Sequence, residues 1–327
     1  MFYIYAYHII IECTGSKGGI MIIEKIKESI KIGDLKYRII NYFWVRNPIR
    51  YVPYRELRLS LWEAKCYKKL KNKYLYVFKQ IDSKVHELNP QYSNRVWTCW
   101  FQGYDEAPEL SKVCISRIID IFGKDRVTVI TEDNVNNYIE IPEHIMQKFQ
   151  EGKVSYAHLS DYIRVSLLEK WGGCWLDATV YIMDNQIPTY FVESPFFAFS
   201  NEHRKSVISI SNWFMSSYKE NKVVLAVRTL LEEYWKKENG IINYYMMHLF
   251  VRIAFDYYLD DWKKMPKFSN INSHMLTYEI FDKYDEKRLE QIKALSPVQK
   301  LSNKFEFTEN IENTFYDVLI KKAVQKI

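Results

Sequence analysis

One stretch of this chain, residues 156–181, constrains its fold more than any other. The stretch reads YAHLSDYIRVSLLEKWGGCWLDATVY. Apolar residues at helical spacing predict a helix over its first half, with Ser155 as the N-cap and Gly172-Gly173 as the end. The short apolar run that follows predicts a buried strand, and Asp177 comes directly after it. A helix that stops on glycines and returns as a strand is typical of an α/β fold.

Further strand and helix patterns lie on both sides of this stretch. Val and Trp are dense in residues 95–101, and residues 127–131 read VTVIT, so both segments are predicted strands. A helical pattern lies between them, which predicts a parallel strand–helix–strand unit. Residues 195–200 predict one more strand, and the amphipathic patterns of residues 223–237 and 241–259 predict two helices.

The patterns divide the 327 residues into three segments. We expect a helical N-terminal extension over residues 1–88, an α/β domain over residues 89–305 and a C-terminal helix over residues 306–327. Met21 follows a glycine-containing break, so it is an alternative start; residues 1–20 then lie outside the natural chain. The sequence leaves this choice open.

Composition narrows the class of protein. The net charge of +6 favours anionic partners such as nucleotide phosphates, but the basic residues are dispersed and no nucleic-acid-binding pattern is present, so no nucleic-acid partner is expected. The five cysteines are odd in number and lack C-x-x-C spacing, which is typical of reduced thiols in a cytoplasmic protein. The basic helices of residues 22–88 are either ordinary amphipathic helices or a surface that rests on anionic lipid.

Candidate ligand-binding residues lie in the opening stretch. Asp177 is expected at the carboxyl end of a central strand, where open α/β sheets bind ligands. Thr179 points the same way as Asp177 if the chain is extended there. Asp161 and Arg164 are three residues apart on a helix, either as part of a site or as a plain surface ion pair. A carboxylate in this position suits a divalent cation that is held against a diphosphate.

Two blocks of the sequence resemble a known family. They read RVWTCWFQGYDEAPEL and HLSDYIRVSLLEKWGGCWLDATV, and they resemble the capsular polysaccharide synthesis proteins of glycosyltransferase family 32. More distantly, they are similar to the catalytic domains of the large clostridial glucosylating toxins. The match covers roughly residues 90–305. It implies a GT-A-type, Rossmann-like core that binds a nucleotide sugar, with a mostly parallel sheet and added helices at the N- and C-terminal ends.

The resemblance implies roles for residues of both blocks. Trp97 is expected to stack on the nucleotide base, and Asp161 and Arg164 to contact the ribose and the sugar. Asp177 matches the first acid of an aspartate-x-aspartate motif. Thr179 stands where the second acid is expected, which removes one charged ligand of the Mn²⁺ or Mg²⁺ ion that such enzymes use.

Four further residues follow from the same resemblance. Asn212 and Trp213 match a loop near the sugar. Lys300 and Lys304 lie in a polar and basic segment, in which a lysine can neutralise the departing diphosphate. The alternative for these lysines is a solvated tail.

A helix stripe in residues 241–259 offers a candidate acceptor-facing surface. His248, Arg252 and Asp256 recur every four residues and therefore share one helix face. Either the stripe faces an acceptor cleft, or Arg252 and Asp256 form a structural ion pair.

The expected function is that of a metal-dependent, retaining hexosyltransferase. Its donor is expected to be UDP-glucose or UDP-galactose, and its acceptor a growing capsular or cell-surface glycan, free or lipid-linked. A lipid-linked acceptor gives the basic N-terminal helices a reason to contact the inner face of the membrane peripherally. Two alternatives stay open: a toxin-like enzyme that glycosylates a protein, and a non-catalytic relative that binds nucleotide sugars.

Overall fold

A five-stranded sheet lies at the centre of the computed structural model. The structure describes residues 52–201, 207–305 and 311–325, together with Ile26, Lys27, Ile30, Leu35 and Lys36. Most of the helical pattern predicted before residue 52 therefore lies outside the described residues.

Seven strands form two sheets in the described part of the chain. They are β1 (Val96–Cys99), β2 (Val127–Ile130), β3 (Gly173–Leu176), β4 (Val180–Ile182), β5 (Phe196–Ser200), β6 (Ile210–Ser217) and β7 (Val298–Lys300). The large sheet has the order β2-β1-β3-β6-β5, and β4 pairs with β7 in a small antiparallel sheet. β1 is parallel to β2 and β3, whereas β6 is antiparallel to β3 and β5. Four of the five strands of the large sheet thus point the same way, and the expected α/β class with a mostly parallel sheet is confirmed. This architecture fits a GT-A-type core.

Helices cover both faces of the large sheet. They are α1 (Val52–Tyr74), α2 (Tyr76–Asp82), α3 (Glu109–Phe122), α4 (Glu143–Gln150), α5 (Tyr156–Trp171), α6 (Thr189–Glu193), α7 (Lys222–Lys237), α8 (Met246–Tyr257), α9 (Leu259–Lys264), α10 (Met275–Glu279), α11 (Glu286–Leu295) and α12 (Lys322–Val324). A π-helical turn, Asp317–Lys321, precedes α12. No helix in the described ranges has the length and apolar character needed to cross a bilayer.

The alternation of side chains along the strands divides the core into two layers. On β3, Trp175 packs with the layer formed by α1, α2, α5, α7 and α8, whereas Cys174 and Leu176 pack with α3, α6 and the small sheet. On β1, Trp97 and Val96 divide in the same way. This period of two is what a strand that is buried on both faces requires.

The helix-to-strand turn matches the sequence prediction. Ser155 caps α5 by accepting a hydrogen bond from the backbone N–H of His158 at 3.4 Å. The chain then passes through Gly172 and Gly173, which have φ angles of 66° and 94°. A Cβ atom on Gly173 would lie 2.2 Å from the carbonyl oxygen of Arg95, so only glycine lets β3 begin this close to β1.

The small sheet was not predicted. The sequence suggested a polar segment around residue 300, but residues Val298–Lys300 form β7 and pair with β4 in a register that sets Lys300 opposite Val180. The pairing is long-range, so no local pattern reveals it.

Candidate functional site

A cavity of about 690 Å³ opens at the edge of the large sheet where β1 and β3 end. Because β6 runs antiparallel to β3, its first residues lie at this same edge. The first half of α5, the start of α8 and the end of β7 complete the wall. Open α/β sheets bind their ligands at this edge, so the cavity is the candidate site.

A polar cluster lies between α5 and β6. Arg164 donates from Nη1 to Oδ1 of Asp161 at 3.1 Å, and Asn212 donates from Nδ2 to the same oxygen at 2.9 Å. Both donors also contact the sulfur of Met247, at 3.7 and 3.5 Å. The structure therefore brings together three of the residues that the sequence singled out.

Asp177 connects this cluster to the end of β3. Its Oδ1 accepts hydrogen bonds from Nη2 of Arg164 and from Nε1 of Trp175, both at 2.9 Å. Its Oδ2 accepts a hydrogen bond from Nζ of Lys300 at 3.2 Å, and Lys300 also donates to Oγ1 of Thr179. The guanidinium of Arg164 lies over the ring of Trp175, 4.9 Å from the ring centre. Arg164 therefore joins the two carboxylates into one network.

The two carboxyl groups have opposite pKa shifts. Burial raises the pKa of Asp161 to about 7, because the charge of Arg164 offsets only part of the desolvation. Burial also acts to raise the pKa of Asp177, but the charges of Lys300 and Arg164 outweigh it and hold this pKa below its usual value. At neutral pH Asp177 is therefore ionised, while Asp161 titrates near neutrality. Perturbed acids in a cavity are typical of functional sites.

The two predicted metal ligands, Asp177 and Thr179, both bond to Lys300. The second oxygen of Asp177 is already taken by Arg164 and Trp175. Across the described ranges, no group of three or more His, Cys, Asp or Glu side chains could hold a metal. Mg²⁺ needs near-octahedral oxygen coordination, and here one carboxylate lies between two cationic side chains. These residues do not fit a divalent cation.

Trp97, which the sequence predicted to stack on the base, does not line the cavity. Its side chain is 0% exposed, and its Nε1 donates to the carbonyl oxygen of Gly172 at 2.9 Å. Trp100 and Phe101, just beyond β1, line the cavity instead. Nε1 of Trp100 is buried without a hydrogen-bond partner among the described residues. A flat ligand that enters the cavity therefore contacts Trp100 and Phe101. The sequence placed both inside the predicted strand of residues 95–101, whereas β1 ends at Cys99.

The remaining predicted residues divide between the cavity and the surface. Trp213 lines the cavity next to Asn212; its Nε1 donates to Oδ1 of Asn270 at 3.0 Å and its ring stacks on Phe199. Lys304 is exposed and does not line the cavity. Of the two predicted lysines, Lys300 is the one that reaches the acids.

The helix stripe of α8 divides in the same manner. His248 lines the cavity, and its Nδ1 is buried without a hydrogen-bond partner in the described part of the chain. Burial, helped by the charge of Arg164, lowers the pKa of His248 to about 3, so the imidazole is neutral at neutral pH. Arg252 and Asp256 form an ion pair at 2.9 Å, which was the structural alternative.

The mouth of the cavity carries aromatic side chains that the sequence did not single out. Tyr156, Tyr244, Tyr245 and Tyr278 line it and are 51, 61, 42 and 75% exposed. They come from α5, from the segment before α8 and from α10, so only the tertiary fold brings them together.

Comparisons with known proteins identify a family for the chain. No curated protein matches the chain. Among solved structures, the chain is similar to one titled "PaToxG Glycosyltransferase", at 12% identity and a TM-score of 0.36, over 79% of this chain and 96% of that chain. The model of the capsular polysaccharide synthesis protein family matches residues 49–319, which include the whole cavity. The chain belongs to the family of capsular polysaccharide synthesis proteins.

Proposed function

We propose that this protein is a retaining glycosyltransferase that moves a hexose from a nucleoside diphosphate sugar to a growing capsular glycan. UDP-glucose and UDP-galactose are the proposed donors. The family supports a role in capsule synthesis. The assignment to glycosyltransferase family 32 and the likeness to clostridial toxins remain predictions.

One observation carries the proposal: acidic, basic and amide side chains converge at the carboxyl edge of the sheet. Asp161, Arg164, Asp177, Asn212 and Lys300 are linked by hydrogen bonds of 2.9–3.2 Å. A nucleotide sugar needs hydrogen-bond acceptors for its hydroxyl groups and cations for its diphosphate, and the cavity offers both. A plain surface ion pair does not account for this set, because the side chain of Arg164 is 4% exposed.

The proposed reaction exchanges one bond for another at the anomeric carbon. The bond between C1 of the sugar and the phosphate oxygen breaks, and its electron pair stays with the nucleoside diphosphate. An acceptor hydroxyl oxygen bonds to C1, and its proton passes to the departing nucleoside diphosphate. In this proposal Lys300 and Arg164, which both contact Asp177, stabilise the charge that develops on the leaving group, usually the largest contribution to such catalysis. No residue is assigned as a nucleophile.

The aromatic mouth of the cavity supports a glycan acceptor. Sugar rings have apolar faces that pack on aromatic side chains, and Tyr244 and Tyr278 are 61 and 75% exposed at this mouth. A neutral His248 in the wall can donate or accept one hydrogen bond to a hydroxyl group. We therefore propose that the acceptor lies across these side chains.

Peripheral contact with the inner face of the membrane is a further part of the proposal. α1 exposes Leu57 and Leu61, at 56 and 48%, one helical turn apart. Lys65 and Lys68 are exposed on the following turns. Exposed leucines beside lysines suit the surface of an anionic membrane and a lipid-linked acceptor. Sedimentation with anionic vesicles tests this, and a double Leu57→Glu and Leu61→Glu variant should lose binding.

The experiment that tests the function is a panel of donor sugars. The purified chain is incubated with UDP- and GDP-sugars, and release of the nucleoside diphosphate is measured. We expect hydrolysis of at least one UDP-hexose, and its loss in Asp177→Ala with an unchanged far-UV circular dichroism spectrum. The absence of hydrolysis and transfer with every donor would sink the proposal. NMR of the first-formed sugar anomer tests retention.

A further inference from the structure

The backbone that carries Lys300 is fixed to the turn that follows β3. β7 pairs with β4 so that Lys300 lies opposite Val180. The backbone N–H of Leu301 donates to the carbonyl oxygen of Thr179 at 2.9 Å, and the hydroxyl of Thr277 donates to the carbonyl oxygen of Lys300. The backbone of Lys300 is therefore part of a sheet, and its side chain starts from a fixed point beside Thr179.

The ammonium group lies between the two oxygen ligands that the motif offers to a metal. Nζ of Lys300 is 3.2 Å from Oδ2 of Asp177 and also donates to Oγ1 of Thr179. A divalent cation bound to Asp177 and Thr179 would have to displace this ammonium. The side chain of Lys300 is 20% exposed and lines the cavity, so a ligand can reach it.

The charges of the site also disfavour a divalent cation. Two acidic side chains, Asp161 and Asp177, pair with two cations, Arg164 and Lys300. A second acid at position 179 would add negative charge to this set, whereas Thr179 adds none. A divalent cation at Asp177 would therefore meet two positive neighbours with no extra carboxylate to hold it.

We propose that Lys300 takes the place of the divalent cation, so that the donor diphosphate binds to its ammonium group and the protein works without metal. The inference rests on the proposed function, since it requires a nucleoside diphosphate sugar as the donor. Lysine is a compact charge that binds phosphate oxygens well. As the bond between C1 and the phosphate oxygen breaks, the electron pair goes to the phosphate, and the ammonium neutralises part of the new charge. The acceptor oxygen bonds to C1, and its proton leaves with the nucleoside diphosphate.

Calorimetric titration of the full chain with UDP, and with GDP, tests this without any need for activity. Each titration is run once with EDTA and once with MnCl₂. We expect dissociation constants within about twofold of each other. In parallel, electron paramagnetic resonance measures free Mn²⁺, whose signal should stay unchanged when the protein is added.

Three variants separate the ammonium from a general loss of charge. Lys300→Ala should weaken UDP binding at least about tenfold, because a charge-assisted hydrogen bond is lost. Lys263→Ala removes a surface lysine that pairs with Asp260 and serves as the matched control, with unchanged affinity. Lys300→Ala combined with Thr179→Asp supplies the missing acid and removes the ammonium, and its UDP affinity should rise about tenfold with Mn²⁺.

The outcomes distinguish this inference from the proposed function. Equal UDP binding in EDTA and in MnCl₂, with a loss in Lys300→Ala, supports the inference. UDP binding that appears only with MnCl₂ overturns it and leaves the proposed function standing. No binding of UDP or GDP under either condition overturns both.

Discussion

Arg164 is the residue whose removal should most disturb the site, and Arg164→Met is the informative change. Methionine keeps much of the volume and removes the charge. Arg164 lies 3.1 Å from Asp161 and 2.9 Å from Asp177, and its side chain is 4% exposed. Removal of one partner from a buried ion pair costs about 3–5 kcal/mol, because the remaining charge is left without compensation. We expect a loss of this size in the free energy of unfolding near pH 8.

The pH dependence of this loss follows from Asp161. Its pKa of about 7 is raised by burial and lowered by Arg164, so it should rise further in Arg164→Met. Below pH 7 Asp161 is protonated in both proteins, and its part of the loss disappears. The loss should therefore be smaller near pH 5.5 than near pH 8, by at most about 1.4 kcal/mol, because pH 8 lies only about one unit above the pKa of Asp161 in the natural chain.

Urea unfolding followed by tryptophan fluorescence, at both pH values, measures this loss. Arg228→Met is the matched control, because Arg228 also contacts two carboxylates, Glu232 at 3.0 Å and Glu169 at 3.4 Å, but its side chain is 25% exposed. Partly exposed pairs of this kind contribute about 0–1 kcal/mol. If Arg164→Met lowers the free energy of unfolding no more than Arg228→Met does near pH 8, Arg164 does not hold a buried ion-pair network.

Three further predictions follow from the same structure. The pKa of Asp161 is higher in the folded than in the unfolded chain, so the stability that Asp161 contributes is present below about pH 4 and is lost as the pH rises to about 7. Asp161→Asn should remove this decline. Urea unfolding across that pH range measures it. Trp100→Ala should weaken UDP binding about tenfold in calorimetry, since stacking on a base contributes about 1–3 kcal/mol. Trp97→Phe should lower stability and leave the affinity for UDP nearly unchanged. The reverse result would contradict the positions of the two side chains. Gly173→Ala should lower the melting temperature by several degrees or prevent folding, because its Cβ would lie 2.2 Å from the carbonyl oxygen of Arg95. A variant as stable as the natural chain would show that β1 and β3 do not approach so closely.

Local patterns predicted the elements of the site better than their assembly. The helix and strand around Asp177 depend on apolar spacing, capping and glycines, all of which are visible within about twenty residues. The contact between Asp161 and Arg164 follows from helical geometry alone. The position of Asn212 beside Asp161 requires that β6 enter the sheet antiparallel to β3, which no local pattern specifies.

Trp97 in β1 and Trp100 just after it show a limit of sequence reasoning. Alternation places Trp97 and Thr98 on opposite faces, but the sequence does not show which face each side chain takes or where pairing stops. Trp97 packs in the core layer that contains α5 and is fully buried, whereas Trp100 lies beyond the strand at the cavity. Lys300 is the opposite case. Its role as a counter-charge was suggested by resemblance, but its contact with Asp177 depends on the long-range pairing of β4 and β7.

Trp175 belongs both to the hydrophobic core and to the candidate site. The residue is 1% exposed and packs in the core layer that contains α5, yet its indole N–H donates a hydrogen bond to the carboxylate of Asp177. A library selected for thermal stability alone could accept phenylalanine at position 175, which preserves apolar contact and leaves the carboxylate one donor short. Engineering of the proposed transferase for a new acceptor should therefore hold position 175 constant and vary the cavity mouth instead.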